Sequence, residues 1–250
     1  MLRIFIFACI FFLAACTASE ISKTETSQYR FSKIVNTEQD SLANQTILPY
    51  KTKLDESMNS VLGKTDRAMV KDMPEGLLGN LVADIILYEA NIHYKSDDGH
   101  GVDFCLLNNG GLRASLPHGE ITRGKIFELM PFENEMIVLE LNGETTLELI
   151  DFIAEKGGMP VSGIRFEIEN QKPTNITING KAFDKNKTYK VVTSDYLAHG
   201  GDKLAMLKKR LNDKLTGVKI RDAIIEYFVE QNNKGVTITS SLDGRIKYAH

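Results

Sequence analysis

The run Val102-Asp103-Phe104-Cys105-Leu106-Leu107 limits the fold of this chain more than any other stretch. It is short and apolar, with glycine on one side and polar residues on the other, which is the pattern of a buried strand. Asn108-Asn109-Gly110-Gly111 follows, and then a single cation, Arg113. Adjacent glycines lift the steric limits on φ and let backbone approach a ligand closely. Arginine is a planar, permanently charged donor fork suited to phosphate or carboxylate. Further on, Pro131-Phe132-Glu133-Asn134 offers a rigid turn carrying an aromatic ring and an amide. Each part has an ordinary reading: a plain turn, a surface charge, a core ring. Together, a cation for an anion and a ring for a flat group point to an aromatic anionic ligand such as a nucleotide.

Around this stretch the hydrophobic period alternates between helix and strand. Residues 40–63 read as helical, with Leu42, Ile47, Leu48, Leu54, Met58, Val61 and Leu62 spaced mostly by three and four, and Pro49 as a point of division. Met73-Pro74-Glu75 opens a second helix whose core-facing stripe is Leu78, Leu81, Val82 and Ile85. Asn80 and Asp84 share one face of it, as polar cover or as ligand contacts. Residues 136–141 read as a strand, Asn142-Gly143 as a turn, and 145–156 as a helix closed by Gly157-Gly158. Strands are expected at 164–168, 176–178 and 189–193, with a turn at Asn179-Gly180 and a last helix near 219–232. A second glycine-bearing loop runs from Asp195-Tyr196 to Asp202. The sum is one large α/β domain, long enough for a real core.

The beginning of the chain reads as a targeting segment. Arg3 is followed by an apolar run at 4–13, too short to span a bilayer, and then by Leu13-Ala14-Ala15-Cys16. This resembles a bacterial lipoprotein signal peptide, which implies cleavage before Cys16 and lipid on that cysteine; a plain secretory signal or short anchor is the other reading. The expected organisation is a signal peptide at 1–15, a polar tether at 16–39 with an edge-strand candidate at 29–35, and the domain at 40–250. Lipid on Cys16 would tether the domain to a membrane of the bacterial cell envelope without spanning it. Lys and Arg number 30 against 33 Asp and Glu, a net charge of −3. There is no basic excess of the kind that binds nucleic acid. With Cys9 removed and Cys16 lipidated, Cys105 is left without a partner and reads as a small buried hydrophobe.

Four motifs stand in order: Asn109-Gly110-Gly111-Leu112-Arg113, Gly119-Glu120-Ile121-Thr122, Pro131-Phe132-Glu133-Asn134, and Tyr196 to Gly200-Gly201-Asp202. With Glu75-Gly76-Leu77-Leu78-Gly79-Asn80-Leu81 ahead of them, the chain resembles the C-terminal domain of the 5′-nucleotidases, the family of periplasmic UDP-sugar hydrolases and ecto-5′-nucleotidases. That resemblance implies an α/β (α+β) fold, a single domain of mixed β-sheets flanked by helices. It implies that Phe132 and Tyr196 sandwich a nucleobase, that Asn134 and Asp202 hydrogen-bond the base edge or ribose hydroxyls, and that Arg113 faces the anionic part. Asn109 and Gly111 would shape that loop. Arg67 and Lys71 are candidates for the substrate's charged groups, or ordinary surface charges.

Full-length members of the family carry a metallophosphoesterase domain, in which two metals activate water against phosphorus. Here His93, His100, His118, His199 and His250 are scattered, with no His-x-His pair. No Ser-His-Asp order, Cys-x-x-Cys or Walker loop takes their place. The expectation is a nucleotide-recognition domain in nucleotide catabolism with no catalytic residue, metal or cofactor of its own, the divalent metals residing on a separate metallophosphoesterase chain. The alternative is a lipid-anchored nucleotide- or nucleoside-binding protein that does not hydrolyse. A decayed, structural role is disfavoured because every main position is filled.

Overall fold

The computed structural model describes residues 23–28 and 41–249. The expected signal peptide, the lipidation site Cys16 and the edge-strand candidate at 29–35 lie outside the described residues, and 23–28 of the tether has no regular structure. The chain divides into a short unit ending at Ile47 and a unit from Leu48 onward, which carries all the elements below except the first turns of α1.

Helix α1 (Ser41–Met58) passes through Pro49 without dividing and buries none of its residues. It stops short of the expected 63, because Val61 and Leu62 belong to a strand, β1 (Val61–Thr65), paired antiparallel with β3 (Gly119–Thr122). Pairing in β1 puts Leu62 in the core, and the strand's backbone groups are satisfied across the ladder instead of along a helix.

The frame of the domain is a five-stranded mixed sheet. Its order is β10 (Asn212–Lys219), β4 (Glu135–Asn142), β9 (Thr188–Ser194), β2 (Phe104–Leu106) and β5 (Val161–Ser162). β9 and β2 run parallel; the other neighbours are antiparallel. Successive side chains of a strand point to opposite faces, so the inner strands feed two separate cores. On β4, Met136 and Val138 join one cluster while Ile137, Leu139 and Leu141 join the other. On β2, Cys105 goes to the first, and Phe104 and Leu106 to the second. Helices α2 (Leu77–His93), α3 (Arg123–Leu129) and α6 (Ile220–Asn233) cover the first face. Helix α4 (Gly143–Glu155) and the 3₁₀ segment Ala205–Lys209 cover the second. Beyond α4 lies a four-stranded sheet, ordered β11 (Ile246–Tyr248), β6 (Ile164–Glu169), β7 (Lys172–Ile178), β8 (Lys181–Ala182). Each aliphatic side chain buried in these cores contributes about 1.5–3 kcal/mol relative to exposure. This is the mixed α/β architecture the sequence implies, and Cys105 is fully buried in it as a free thiol.

Local signals are used in differing ways. Asn142-Gly143 is a helix start and no turn: the Asn142 side chain accepts from Thr145 N at 2.8 Å, capping α4. Gly157 N and Gly158 N donate to the carbonyls of Ala154 and Ile153, closing the same helix in a Schellman arrangement. Asn179 and Gly180 both take left-handed φ between β7 and β8, the turn their sequence calls for. Strands β10 and β11 carry no alternation that announces them; β10 is a largely exposed edge strand, paired on one side only.

Asn80 and Asp84 serve structure. The buried Asn80 amide donates to Glu75 and to the Ser241 carbonyl at 2.9 Å. Asp84 accepts from Arg245 at 2.7 and 3.0 Å. The buried Arg245 also donates to the Val161 carbonyl and pairs with Asp243, fastening the C-terminal segment to the sheet. Arg245→Ala should therefore lower the unfolding free energy by about 2–3 kcal/mol, toward the low end for a broken buried pair because both carboxylates keep contact with water. Urea melts with an unchanged slope and a lower midpoint would show it; an unmoved midpoint would mean the clamp carries no stability.

Candidate functional site

Strand direction gathers three loops at one end of the central sheet. Parallel β2 and β9 deliver their C-terminal residues to the same edge, and Met136 of antiparallel β4 stands opposite Ser194, so the residues entering β4 reach it too. The loop after β2 carries Asn108 to Arg113, and the loop before β4 carries Phe132 to Asn134. β9 passes into a single helical turn, α5 (Asp195–Ala198), whose N-cap Ser194 accepts from Leu197 N at 3.1 Å. That turn presents Tyr196.

These loops enclose a cleft of about 360 Å³ lined by Asn108, Gly110, Gly111, Arg113, Phe132, Asn134, Tyr196 and Asp202. That is the size of a small-molecule site. Six of the seven residues named from sequence line it. Asn109 does not: its carbonyl accepts from Lys71 Nζ at 3.2 Å, beside an adjoining depression formed with Asp72 and Met73. Its neighbour Asn108 takes the cleft position, a choice between two adjacent asparagines that no pattern in the sequence decides. Arg67 is engaged by the adjacent Asp66 at 2.8 Å and lies outside the cleft, and exposed His199 bonds the Asp195 carbonyl.

The cleft is held from within. Asp202 adopts φ 51°, left-handed for a non-glycine residue, and follows Gly200 at φ 89°. Its carboxylate accepts from Asn108 Nδ2 at 2.6 Å and from the Tyr196 hydroxyl at 2.9 Å. A carboxylate has about four acceptor directions, so these two bonds do not exhaust it. Two glycines permit this packing by close approach: a Cβ on Gly201 would lie 2.5 Å from the Tyr196 ring, and one on Gly111 would lie 2.8 Å from Asn108 Oδ1. Phe132 and Tyr196 are 39% and 47% exposed, and neither touches another ring among the described residues, so they are cleft walls and not core. The Arg113 guanidinium reaches only the Gly110 carbonyl, at 3.5 Å, and has no carboxylate partner among the described residues. Its backbone is pinned through Leu129 O, next to fully buried Leu112.

The Phe132 loop is braced from behind by the junction of β10 and α6, which sequence reading did not connect to the site. Ile220 N donates to Asn134 O at 2.9 Å. Buried Arg221 donates to the Phe132 carbonyl at 3.4 Å and to Glu133, and lies 4.1 Å over the Phe127 ring. Lys219 pairs with the other Glu133 oxygen. Hydrogen bonds from Lys219 and then Arg221 hold the Glu133 carboxyl at about 2, below its ordinary 4.5. A carboxylate depressed in the folded state contributes stability that is complete above about pH 4.5 and is lost as pH falls toward 2. Through that window the wild-type unfolding free energy should fall more steeply than that of Glu133→Gln, with the difference shrinking in high salt. Parallel pH profiles in urea melts would show that the bridge does not brace the loop.

Comparison with known proteins follows the same outline. A family model described as "5'-nucleotidase, C-terminal domain" matches residues 59–209. The trifunctional nucleotide phosphoesterase protein YfkN of Bacillus subtilis is 28% identical over 85% of this chain and 15% of its own length. A 5′-nucleotidase of Vibrio vulnificus is 26% identical over 78% of this chain and 35% of its own. The crystal structure of a 5′-nucleotidase precursor from Thermus thermophilus superposes with a TM-score of 0.69 at 26% identity, covering 84% of this chain and 43% of that one. The chain thus spans less than half the length of each. The matched region runs from just ahead of β1 to the end of the 3₁₀ segment beyond Asp202 and takes in all three loops of the cleft, so the chain belongs to the 5′-nucleotidase C-terminal domain family.

Proposed function

We propose that this cleft recognises a nucleotide or nucleoside, and that a metallophosphoesterase domain on a separate chain supplies the divalent metals and the water that cleave the phosphoester. The observation that carries the reading is the pairing, in one cleft, of two exposed rings with a guanidinium that no carboxylate among the described residues neutralises. The rings hold the base by stacking, which tolerates any base because each has a π-face. Asp202 and Asn134 take the ribose hydroxyls or base edge, and Arg113 takes the anionic part. The cleft's own donors do not fit a two-metal centre: its one carboxylate is already bonded to Asn108 and Tyr196, and no histidine lines it. This chain corresponds to only part of each relative, so those proteins have room for a further domain.

Phe132→Ala and Tyr196→Ala should each weaken adenosine and AMP binding by about 1–3 kcal/mol in calorimetry; unchanged affinity would remove the rings from the site. Arg113→Ala should weaken AMP more than adenosine, since it removes a charge-assisted contact to the phosphate, and equal losses would assign Arg113 to the fold. Phosphate release from AMP and UDP-glucose, with Mn²⁺, Co²⁺ or Zn²⁺ added, should require the partner chain. Turnover by this chain alone that vanishes in Arg113→Ala would overturn the division of labour. Binding with no turnover beside any metallophosphoesterase would favour a nucleotide-binding protein that does not hydrolyse. In the same reading lipid on Cys16 anchors the domain to the cell envelope, so Cys16→Ser should move it from the membrane fraction to the soluble one; unchanged fractionation would exclude that anchor.

A further inference from the structure

Outside the cleft, the packing of α2 against α6 brings three potential metal ligands together. Glu89 and His93 stand one turn apart on α2, and Glu226 approaches from α6, which meets α2 through an edge-to-face contact of Tyr88 and Tyr227 at 5.6 Å. We propose that Glu89, His93 and Glu226 bind one first-row divalent transition ion of the Zn²⁺ type, which joins the two helices.

Spacing is the first argument. His93 Nε2 lies 3.5 Å from Glu89 Oε2 and 3.4 Å from Glu226 Oε2, and all three ligand atoms fall within 4.8 Å of one another. A charge-assisted N–H···O⁻ bond closes to about 2.7–2.9 Å, so these separations are long for an imidazolium bridge. Two ligands each about 2.0–2.1 Å from a tetrahedral ion stand roughly 3.3–3.4 Å apart, close to the separation of His93 from each of the two carboxylates. Burial is the second. Glu89 is 3% exposed, and among the described residues its carboxylate faces no Lys or Arg and no partner but His93. Burying a carboxylate is costly unless a cation compensates it. Among the described residues Glu226 likewise pairs with His93 alone. Position is the third: His93 is the last residue of α2, where the helix dipole favours positive charge. One imidazole nitrogen with two carboxylate oxygens suits Zn²⁺, Mn²⁺ or Co²⁺ better than Mg²⁺ or Ca²⁺, which take oxygen throughout. Water completes the coordination on the exposed Glu226 side. None of the three residues lines the nucleotide cleft, so the ion serves the fold by mass action on the native state.

The test uses the full chain, stripped with chelator and titrated with ZnCl₂ by calorimetry, with CoCl₂ as a spectroscopic probe. One Zn²⁺ per chain, a melting temperature that rises with Zn²⁺, and a visible Co²⁺ ligand-field band are expected. His93→Ala and Glu226→Gln should each weaken Zn²⁺ by at least about tenfold and remove the band, since even a contact that merely orients a ligand is worth roughly 10- to 100-fold. Glu226 is exposed, so its variant keeps the fold where a change at Glu89 would disturb it. Absence of Zn²⁺ binding, or binding unchanged in both variants, would overturn the site.

Discussion

The domain depends on burying both faces of three strands, β2, β9 and β4. Because consecutive side chains alternate, Val191 and Val192 of β9 enter different cores, as do Ile137 and Val138 of β4. A slip of one residue in any of these ladders would exchange the two sets, so the register is strongly specified. The same register decides the site. With Met136 opposite Ser194 and β2 parallel to β9, the loops bearing Asn108, Phe132 and Tyr196 must emerge together. A ligand cleft beyond the carboxyl ends of parallel strands is what such a sheet favours.

The cleft combines groups that are already satisfied with groups left open. Asp202, Asn108 and Tyr196 hold one another, and Arg221, Ile220 and Lys219 brace the Phe132 loop from behind. Affinity gains from such preorganisation, because little side-chain freedom is left to lose on binding. The rings and Arg113 stay exposed, and they are the groups whose pairing a ligand can complete. Under the function proposed above, the braced loops would frame the base and Arg113 would leave an open charged side toward the anionic group.

Charge elsewhere in the molecule is mostly internally matched. Arg245 holds Asp84 and Asp243, Lys190 is bound to Asp98, and Glu133 lies between Lys219 and Arg221. Arg113 departs from this pattern in the cleft, and Glu89 with Glu226 departs from it on the α2–α6 flank, where one histidine faces two carboxylates. Unmatched charge under partial burial is where ligands are sought.

The sequence by itself determined the buried strand ahead of Asn108, the stripe of α2, the capping of α4 at Gly157-Gly158, and the family motifs, because these rest on local period, on turn stereochemistry and on residues adjacent in the chain. Tertiary structure alone decided the rest. Val61 and Leu62 suit a helical period as well as a strand, and only pairing with β3 settles them. Asn142-Gly143 can turn or cap; the helix that follows chooses the cap. Of Asn108 and Asn109, the one facing the cleft is set by its bond to Asp202, ninety-four residues away. The brace from Arg221 and the approach of Glu226 to His93 join positions whose separation along the chain carries no periodic signal, since they meet through helix packing and not through any repeat.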